Sequence, residues 1–124
     1  MIGYTTLGTK DLKRAAVFYD AIAKELGVSR MMEMEKFIAW GAPNGGAGVG
    51  ITYPYNGEAA TVGNGVMVAL ACTSKEQVDR LHALALSLGG TDEGKPGPRG
   101  DSFYAGYFRD LDGNKLNAFI MTGG

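Results

Sequence analysis

The sequence FYAGYFRDLDGNKLNAFIM, from Phe103 to Met121, is the most informative part of the chain about its fold. Its centre, Asp112–Asn114 (DGN), is typical of a hairpin turn, because glycine adopts a positive φ without steric cost and Asp and Asn tolerate left-handed geometry. The runs on either side are rich in aromatic and aliphatic residues, which predicts two strands. If the second strand alternates, Asn117 and Phe119 share one face of it.

Working outward, the same order of elements is predicted twice. A helix that begins after Asp11 and ends at Gly27 follows a strand near 2–8, and a helix that begins after Ser74 and ends at Gly89-Gly90 follows a strand near 66–72. Further short strands are predicted after each helix, near 30–35, 36–41 and 48–53 and near 90–93, 103–109 and 115–122. The repeated order β-α-β-β-β indicates an internal duplication.

The turn and the duplicated order resemble the glyoxalase/bleomycin-resistance/dioxygenase (vicinal oxygen chelate) superfamily, in which a D-P-D-G-N turn precedes a strand carrying a metal-binding Glu. The resemblance implies an α+β fold in which two βαβββ modules form a curved mixed-sheet cup with the helices outside. It implies one domain over residues 1–124, with module 1 at about 1–55 and module 2 at about 64–124. The segment Pro54–Asn64 is the expected boundary.

Metal-dependent relatives supply His, Glu, His and Glu from four strand positions, and this chain departs from that pattern at each one. By the resemblance, those positions hold Tyr4, Gly50, Met67 and Asn117. Gly50 and Met67 offer no suitable ligand for a divalent ion, and the other two would hold one poorly. His82, the only histidine, is predicted on the outer face of the second helix. We therefore expect no metal and no cofactor.

The predicted cup lining suits a small, partly aromatic molecule. The candidate ligand-binding residues are Tyr4, Thr6, Trp40, Thr52, Met67, Arg99, Tyr104, Asn117 and Phe119. Arg99 lies in a proline- and glycine-rich loop, 94–101, where it either pairs with Asp101 or binds a carboxylate or phosphate. The alternative is that the lining residues simply fill the cup as core. For Trp40, an aromatic residue within a predicted strand, core packing is the more common role.

Composition narrows the class of protein. The chain has 124 residues, a formal net charge of −1 and one cysteine, Cys72, so it carries neither a basic stripe for nucleic acid nor an internal disulfide. No apolar run approaches the ~20 residues of a membrane span. These features predict a cytoplasmic protein with a small-molecule ligand and no nucleic-acid or membrane partner, and the resemblance implies a homodimer.

Three functions are consistent with the sequence. The first is metal-independent binding of a small molecule, as in the bleomycin-resistance branch of the superfamily. The second is a metal-independent lyase or isomerase in which Tyr4 is the candidate catalytic acid. The third is a metal-dependent glyoxalase or dioxygenase with atypical ligands such as Glu33, Glu35 or Asp101.

Overall fold

The computed structural model of the chain describes residues 1–123 and contains two helices and eight strands in that range. The elements are β1 Tyr4–Gly8, α1 Leu12–Glu25, β2 Ser29–Met34, β3 Phe37–Gly41, β4 Gly48–Thr52, β5 Val68–Ala71, α2 Lys75–Ser87, β6 Thr91–Pro98, β7 Phe103–Arg109 and β8 Lys115–Met121. The predicted α+β class with two βαβββ modules is confirmed. The chain divides into two compact units, unit 1 at Met1–Val62 and unit 2 from Gly63 onward.

Unit 1 is a four-stranded mixed sheet with one helix on one face. Its strand order is β1-β4-β3-β2, with β1 parallel to β4 and the other neighbours antiparallel. Asp11 caps α1 by accepting a hydrogen bond from the Arg14 N–H at 3.1 Å, and Gly27, at φ 76°, follows its last turn. The buried face of this sheet is the one that carries α1. There Ile51 of β4 lies between Leu7 of β1 and Ile38 of β3, its partners on the two neighbouring strands, and all three side chains are buried.

Unit 2 repeats this arrangement, with the strand order β5-β8-β7-β6 and β5 parallel to β8. The Ser74 hydroxyl accepts a hydrogen bond from the Gln77 N–H at 3.0 Å, which caps α2 as the sequence predicted. Its core consists of side chains with no exposed surface on α2, β7 and β8: Val78, Leu81, Ala85, Phe108, Leu116 and Ala118.

The hairpin between β7 and β8 is organised by Asp110, which the sequence argument did not single out. Its carboxylate accepts hydrogen bonds from the backbone N–H groups of Asp112 and Asn114 and from the Asn114 side chain, each at 2.9 Å. Gly113, at φ 90°, takes the left-handed position. These contacts fix the register in which Tyr107 pairs with Asn117 and Phe108 with Leu116.

The sixth strand differs from its prediction. The sequence placed a strand near 90–93 and a loop at 94–101, whereas β6 continues to Pro98 and pairs with β7 as far as Tyr104. Its prolines are tolerated because β6 is the edge strand, where a missing N–H faces away from the sheet. Register shifts at Gly94 and Gly97 interrupt the ladder. No helix of residues 1–123 is long and apolar enough to cross a membrane.

Candidate functional site

The face of the unit 1 sheet opposite α1 carries three of the predicted site positions. Since Leu7 and Ile51 point towards the helix, the alternate positions Tyr4, Thr6 and Thr52 lie on the other face. The Tyr4 side chain is 62% exposed and meets the Phe37 ring edge-on, with centroids 6.2 Å apart.

Thr6 and Thr52 also line a groove of about 1220 Å³ in unit 1. The other wall of this groove is the segment 53–61, which the sequence argument treated only as a boundary. Lys10 and Lys36 also line the groove. The segment 53–61 packs closely against β1, since a Cβ built at Gly8 would lie 2.9 Å from the Ala60 side chain. The groove therefore extends this face at one end of the sheet.

The residues at the four family metal positions do not fit a metal ion. Gly50 has no side chain, and a Cβ built there would lie 2.7 Å from the Phe37 ring, so an aromatic ring packs where a ligand side chain would begin. Met67 supplies a thioether and Asn117 a single amide oxygen, a poor set for a divalent cation. Among residues 1–123, no three His, Cys, Asp or Glu side chains form a group that could hold a metal.

The face of the unit 2 sheet opposite α2, here called the Asn117 face, contains the second group of site residues. Ala69, Asn117 and Tyr107 form one row across β5, β8 and β7, and Lys115 and Phe119 flank Asn117 along β8. Asn117 is only 1% exposed, and its Oδ1 has no hydrogen-bond partner. Buried amide oxygens are normally paired, so this atom marks the face as unusual.

Two cations flank the Tyr107 ring on the Asn117 face. The guanidinium carbon of Arg99 lies 5.5 Å from the ring centroid and the Lys115 Nζ lies 5.6 Å from it. Arg99 is oriented by hydrogen bonds from Nη1 to the Gly97 carbonyl at 3.0 Å and from Nη2 to the Lys95 carbonyl at 2.8 Å. The predicted alternative, an Arg99–Asp101 ion pair, is not formed among the described contacts.

Glycines of β6 provide the space in which Arg99 lies. A Cβ built at Gly94 would approach the Arg99 Nη2 to 3.3 Å and the Tyr107 ring to 3.2 Å, and one built at Gly97 would approach the Arg99 Nη1 to 3.3 Å. These three contacts are tight, so a side chain at either position would require the guanidinium or the ring to shift slightly. Glycine at both positions thus lets Arg99 lie close to β6.

The apolar part of the Asn117 face follows β8 towards its end. Phe119 stacks on Phe103 with ring centroids 5.5 Å apart and an interplanar angle of 22°. Met67, immediately before β5, is 41% exposed. The face therefore offers aromatic surface at one end and positive charge at the other.

Two predicted ligand-binding residues lie elsewhere in their units. Trp40 is buried on the α1 side of its sheet, where it stacks obliquely with Tyr19 and its indole N–H donates to Asp20 at 2.8 Å. Tyr104 lies on the α2 side, where its hydroxyl donates to Asp79 at 2.7 Å, a contact that raises the pKa of Tyr104. Strand parity explains both positions, because Trp40 and Tyr104 alternate out of phase with the residues of the open faces.

His82 also differs from its predicted position on the outer face of α2. It is 5% exposed and points to the sheet, where its Nε2 lies 3.0 Å from Asp92 Oδ1 and 3.2 Å from the Tyr107 carbonyl. The backbone N–H of Gly94, and then the His82 ring, hold the pKa of Asp92 below its usual value. His82 is thus a packing residue that ties α2 to the strand carrying Tyr107.

Comparison with known proteins agrees with this fold. The sequence profile of the Glyoxalase/Bleomycin resistance protein/Dioxygenase superfamily matches residues 1–118, and the chain belongs to this superfamily. It is 37% identical to a glyoxalase/bleomycin resistance protein from Albidiferax ferrireducens T118, whose crystal structure gives a TM-score of 0.89 over 97% of this chain and 98% of that one.

More distant structures share the architecture. A hypothetical protein from S. aureus is 25% identical, with a TM-score of 0.74 over 94% of this chain and 91% of that one. A lactoylglutathione lyase from Agrobacterium tumefaciens is 18% identical, with a TM-score of 0.71 over 97% and 92%, and shows a likeness of fold alone. No functionally curated protein sequence matches the chain.

Proposed function

We propose that the protein binds a small organic molecule without the help of a metal ion. The observation that carries this proposal is the donor set at the four family positions, Tyr4, Gly50, Met67 and Asn117, which lacks imidazole and carboxylate altogether. The packing of Phe37 against Gly50 supports it, because a ligand side chain at that position would have to displace the ring. The function that we propose is therefore the binding of a small molecule rather than a reaction at a metal ion.

The Asn117 face is the best-equipped surface for such a ligand. It combines a buried acceptor without a partner, a tyrosine whose ring centroid lies 5.5 and 5.6 Å from two cations and a stacked pair of phenylalanines. Small-molecule sites characteristically combine apolar and aromatic walls with a few converging polar groups. Met67, Asn117, Phe119 and Arg99 keep their predicted roles in this proposal, and Tyr107 and Lys115 join them.

A metal-content experiment tests the proposal. Native mass spectrometry of the freshly purified chain is expected to show the polypeptide mass, alone or with an organic adduct. After treatment with EDTA, the melting temperature is expected to stay unchanged when Zn²⁺, Ni²⁺, Mn²⁺ or Fe²⁺ is added, because binding to the native state alone would raise it. A stoichiometric transition metal in the spectrum, or a metal-dependent rise in melting temperature, would contradict the proposal.

The two enzymatic alternatives have weaker support. Tyr4 has no hydrogen bond with any group of residues 1–123 that would orient or tune its phenol for acid catalysis. Glu33, one of the atypical metal ligands considered, instead forms an ion pair with Arg30 at 2.6 Å. Loss of turnover in Tyr4→Phe would still be the decisive observation for a lyase or isomerase.

We also propose that the chain forms a homodimer, with β2 in the interface. Met31, Met32 and Met34 of this edge strand are 51%, 47% and 56% exposed. Adjacent large apolar side chains on a sheet edge are usually covered by a partner, and methionine adapts well to such surfaces. Sedimentation velocity tests this: wild type is expected to sediment as a dimer and Met32→Lys to dissociate into monomers at higher concentrations, whereas a wild type that is monomeric at all concentrations would refute the proposal.

We also propose a location in the cytoplasm. A single cysteine, which cannot form an internal disulfide, suits a reducing compartment.

A further inference from the structure

We propose that the ligand of the Asn117 face is a small organic anion that carries a hydroxyl or N–H donor close to its carboxylate or phosphate. This inference rests on the proposed function and specifies the class of molecule bound. Its starting point is the juxtaposition of an unpaired acceptor, Asn117 Oδ1, with the cations Arg99 and Lys115 in neighbouring positions on one sheet face.

The acceptor sets the first requirement. Asn117 Oδ1 is buried and has no partner, so a ligand group that donates a hydrogen bond there would pair an atom that is otherwise desolvated at a cost. An ionised carboxylate or phosphate oxygen cannot donate a hydrogen bond, and a ligand that presents only ionised oxygens would therefore be repelled at this atom. The ligand needs a hydroxyl or N–H at the position that meets Asn117.

The cations set the second requirement. Arg99 and Lys115 both lie close to the ring of Tyr107, which pairs directly with Asn117 from the neighbouring strand, and Lys115 itself lies two residues before Asn117 on β8. The Arg99 guanidinium is held by backbone carbonyls, which leave its charge uncancelled, and the Lys115 ammonium contacts the ring alone among the described interactions. Uncancelled charges beside an aromatic wall favour an anion, and guanidinium suits carboxylate and phosphate groups in particular.

Lys115 also explains how a ligand gains access. The side chains that surround Asn117 on this face are those of Ala69, Tyr107, Lys115 and Phe119. Lys115 is the longest of them and has the most rotatable bonds, so it is the one that moves at least cost. An anion that binds the Lys115 ammonium would draw it away from the Tyr107 ring, on the sheet face that contains Asn117.

Three matched probes test both requirements on the full-length chain in EDTA. Mandelate carries a carboxylate, an adjacent hydroxyl and an aromatic ring; mandelamide removes the charge; phenylacetate removes the hydroxyl. In ¹⁵N-resolved NMR titrations, mandelate is expected to shift the side-chain amide signals of Asn117. Mandelamide is expected to bind about tenfold more weakly and phenylacetate about threefold to tenfold more weakly, as the loss of a charge-assisted and of a neutral hydrogen bond implies.

A pair of lysine variants isolates the role of Lys115. Lys75 Nζ lies 5.6 Å from the Tyr104 ring on the α2 side of unit 2, the same geometry that Lys115 Nζ has with Tyr107. Lys115→Gln is expected to weaken mandelate binding about fivefold to tenfold, whereas Lys75→Gln is expected to leave it unchanged. Equal effects of the two variants would show that only the overall charge of the chain matters, which would overturn the inference.

The outcomes separate this inference from the function on which it rests. If mandelamide binds as tightly as mandelate to the EDTA-treated chain, metal-independent binding stands and the anion inference is wrong. If mandelate binds only after a divalent metal is added, the proposed function itself is wrong. No saturable shift at Asn117 up to about 20 mM mandelate, a range that covers even millimolar affinity, would overturn the inference as well.

Discussion

Replacing Asn117 with leucine separates a binding residue from a structural one. The amide oxygen of Asn117 is buried and unpaired, and such a group costs about 1–3 kcal/mol of desolvation that the fold does not recover. Leucine is branched at the same carbon and has no polar atom, so it removes this cost while keeping most of the volume. We expect Asn117→Leu to raise the free energy of unfolding by about 1–3 kcal/mol and the melting temperature by roughly 3–10 °C.

Urea unfolding followed by circular dichroism measures this change, with the denaturant slope as a check that the mechanism of unfolding is unaltered. Thr5→Val is the matched control, since Thr5 Oγ1 in unit 1 is the other buried side-chain atom without a partner among residues 1–123, and valine keeps its shape. We expect Thr5→Val to stabilise the chain by about 1 kcal/mol and to leave mandelate binding intact, whereas Asn117→Leu should abolish that binding. A loss of stability in Asn117→Leu would refute the reasoning, because it would mean that the amide has a partner in solution.

Three further predictions follow from contacts outside that residue. Asp110→Ala removes the acceptor that organises the hairpin turn, so we expect the free energy of unfolding, measured by urea titration, to fall by about 2–4 kcal/mol. A decrease below ~0.5 kcal/mol would contradict this role of Asp110. The hydrogen bond from Arg30 lowers the pKa of Asp20 from its usual 3.8, so the ionised carboxylate stabilises the folded chain above pH 3.8, and this stabilisation is lost as the pH falls through the lower pKa of the folded state. The melting temperature of wild type should therefore exceed that of Asp20→Asn at pH 7, and this difference should disappear in stronger acid. A difference that does not change with pH would argue against the ion pair. Arg99→Gln should weaken mandelate binding about threefold to tenfold without loss of the fold, and unchanged affinity would show that this arginine takes no part.

The hairpin shows what the sequence could predict. Residues of the stretch Phe103–Met121 formed the two expected strands, with the turn at Asp112–Asn114. Alternation places Lys115 on the same face as Asn117, although it does not mark Lys115 as a ligand contact. Tyr107 was harder to find, because its pairing with Asn117 depends on the turn length, and that length is set by the buried contacts of Asp110 rather than by local propensity.

The errors share a physical cause. Helical periodicity was read from the aliphatic residues of α2 only, although His82 lies four residues after Val78 and three before Ala85, both of them fully buried. Because histidine is polar, it was assigned to the outside, yet a carboxylate and a backbone carbonyl satisfy it inside. Similarly, Pro96 and Pro98 indicated a loop, and only the position of β6 at the sheet edge makes them compatible with a strand.

The alternation of buried and open faces could not be assigned without the pairing of the strands. Trp40 and Tyr104 belong to strands whose termini are predicted to within a residue, yet these termini alone do not show that both side chains face the helices. A shift of one residue in phase exchanges the two faces of a strand. The hydrogen-bond partners that identify the helix-facing side of these strands, Asp20 for Trp40 and Asp79 for Tyr104, lie on the helices and are distant in the sequence.

Metal-free binding of an anion to the Asn117 face is best tested by calorimetric titration of mandelate into the EDTA-treated chain and, in parallel, into Lys115→Gln. We expect saturable binding without metal to the wild-type chain and binding about fivefold to tenfold weaker to the variant, because the Lys115 ammonium next to Tyr107 contributes charge to the Asn117 face. Binding that requires an added divalent ion, or that is identical in the two proteins, would contradict it.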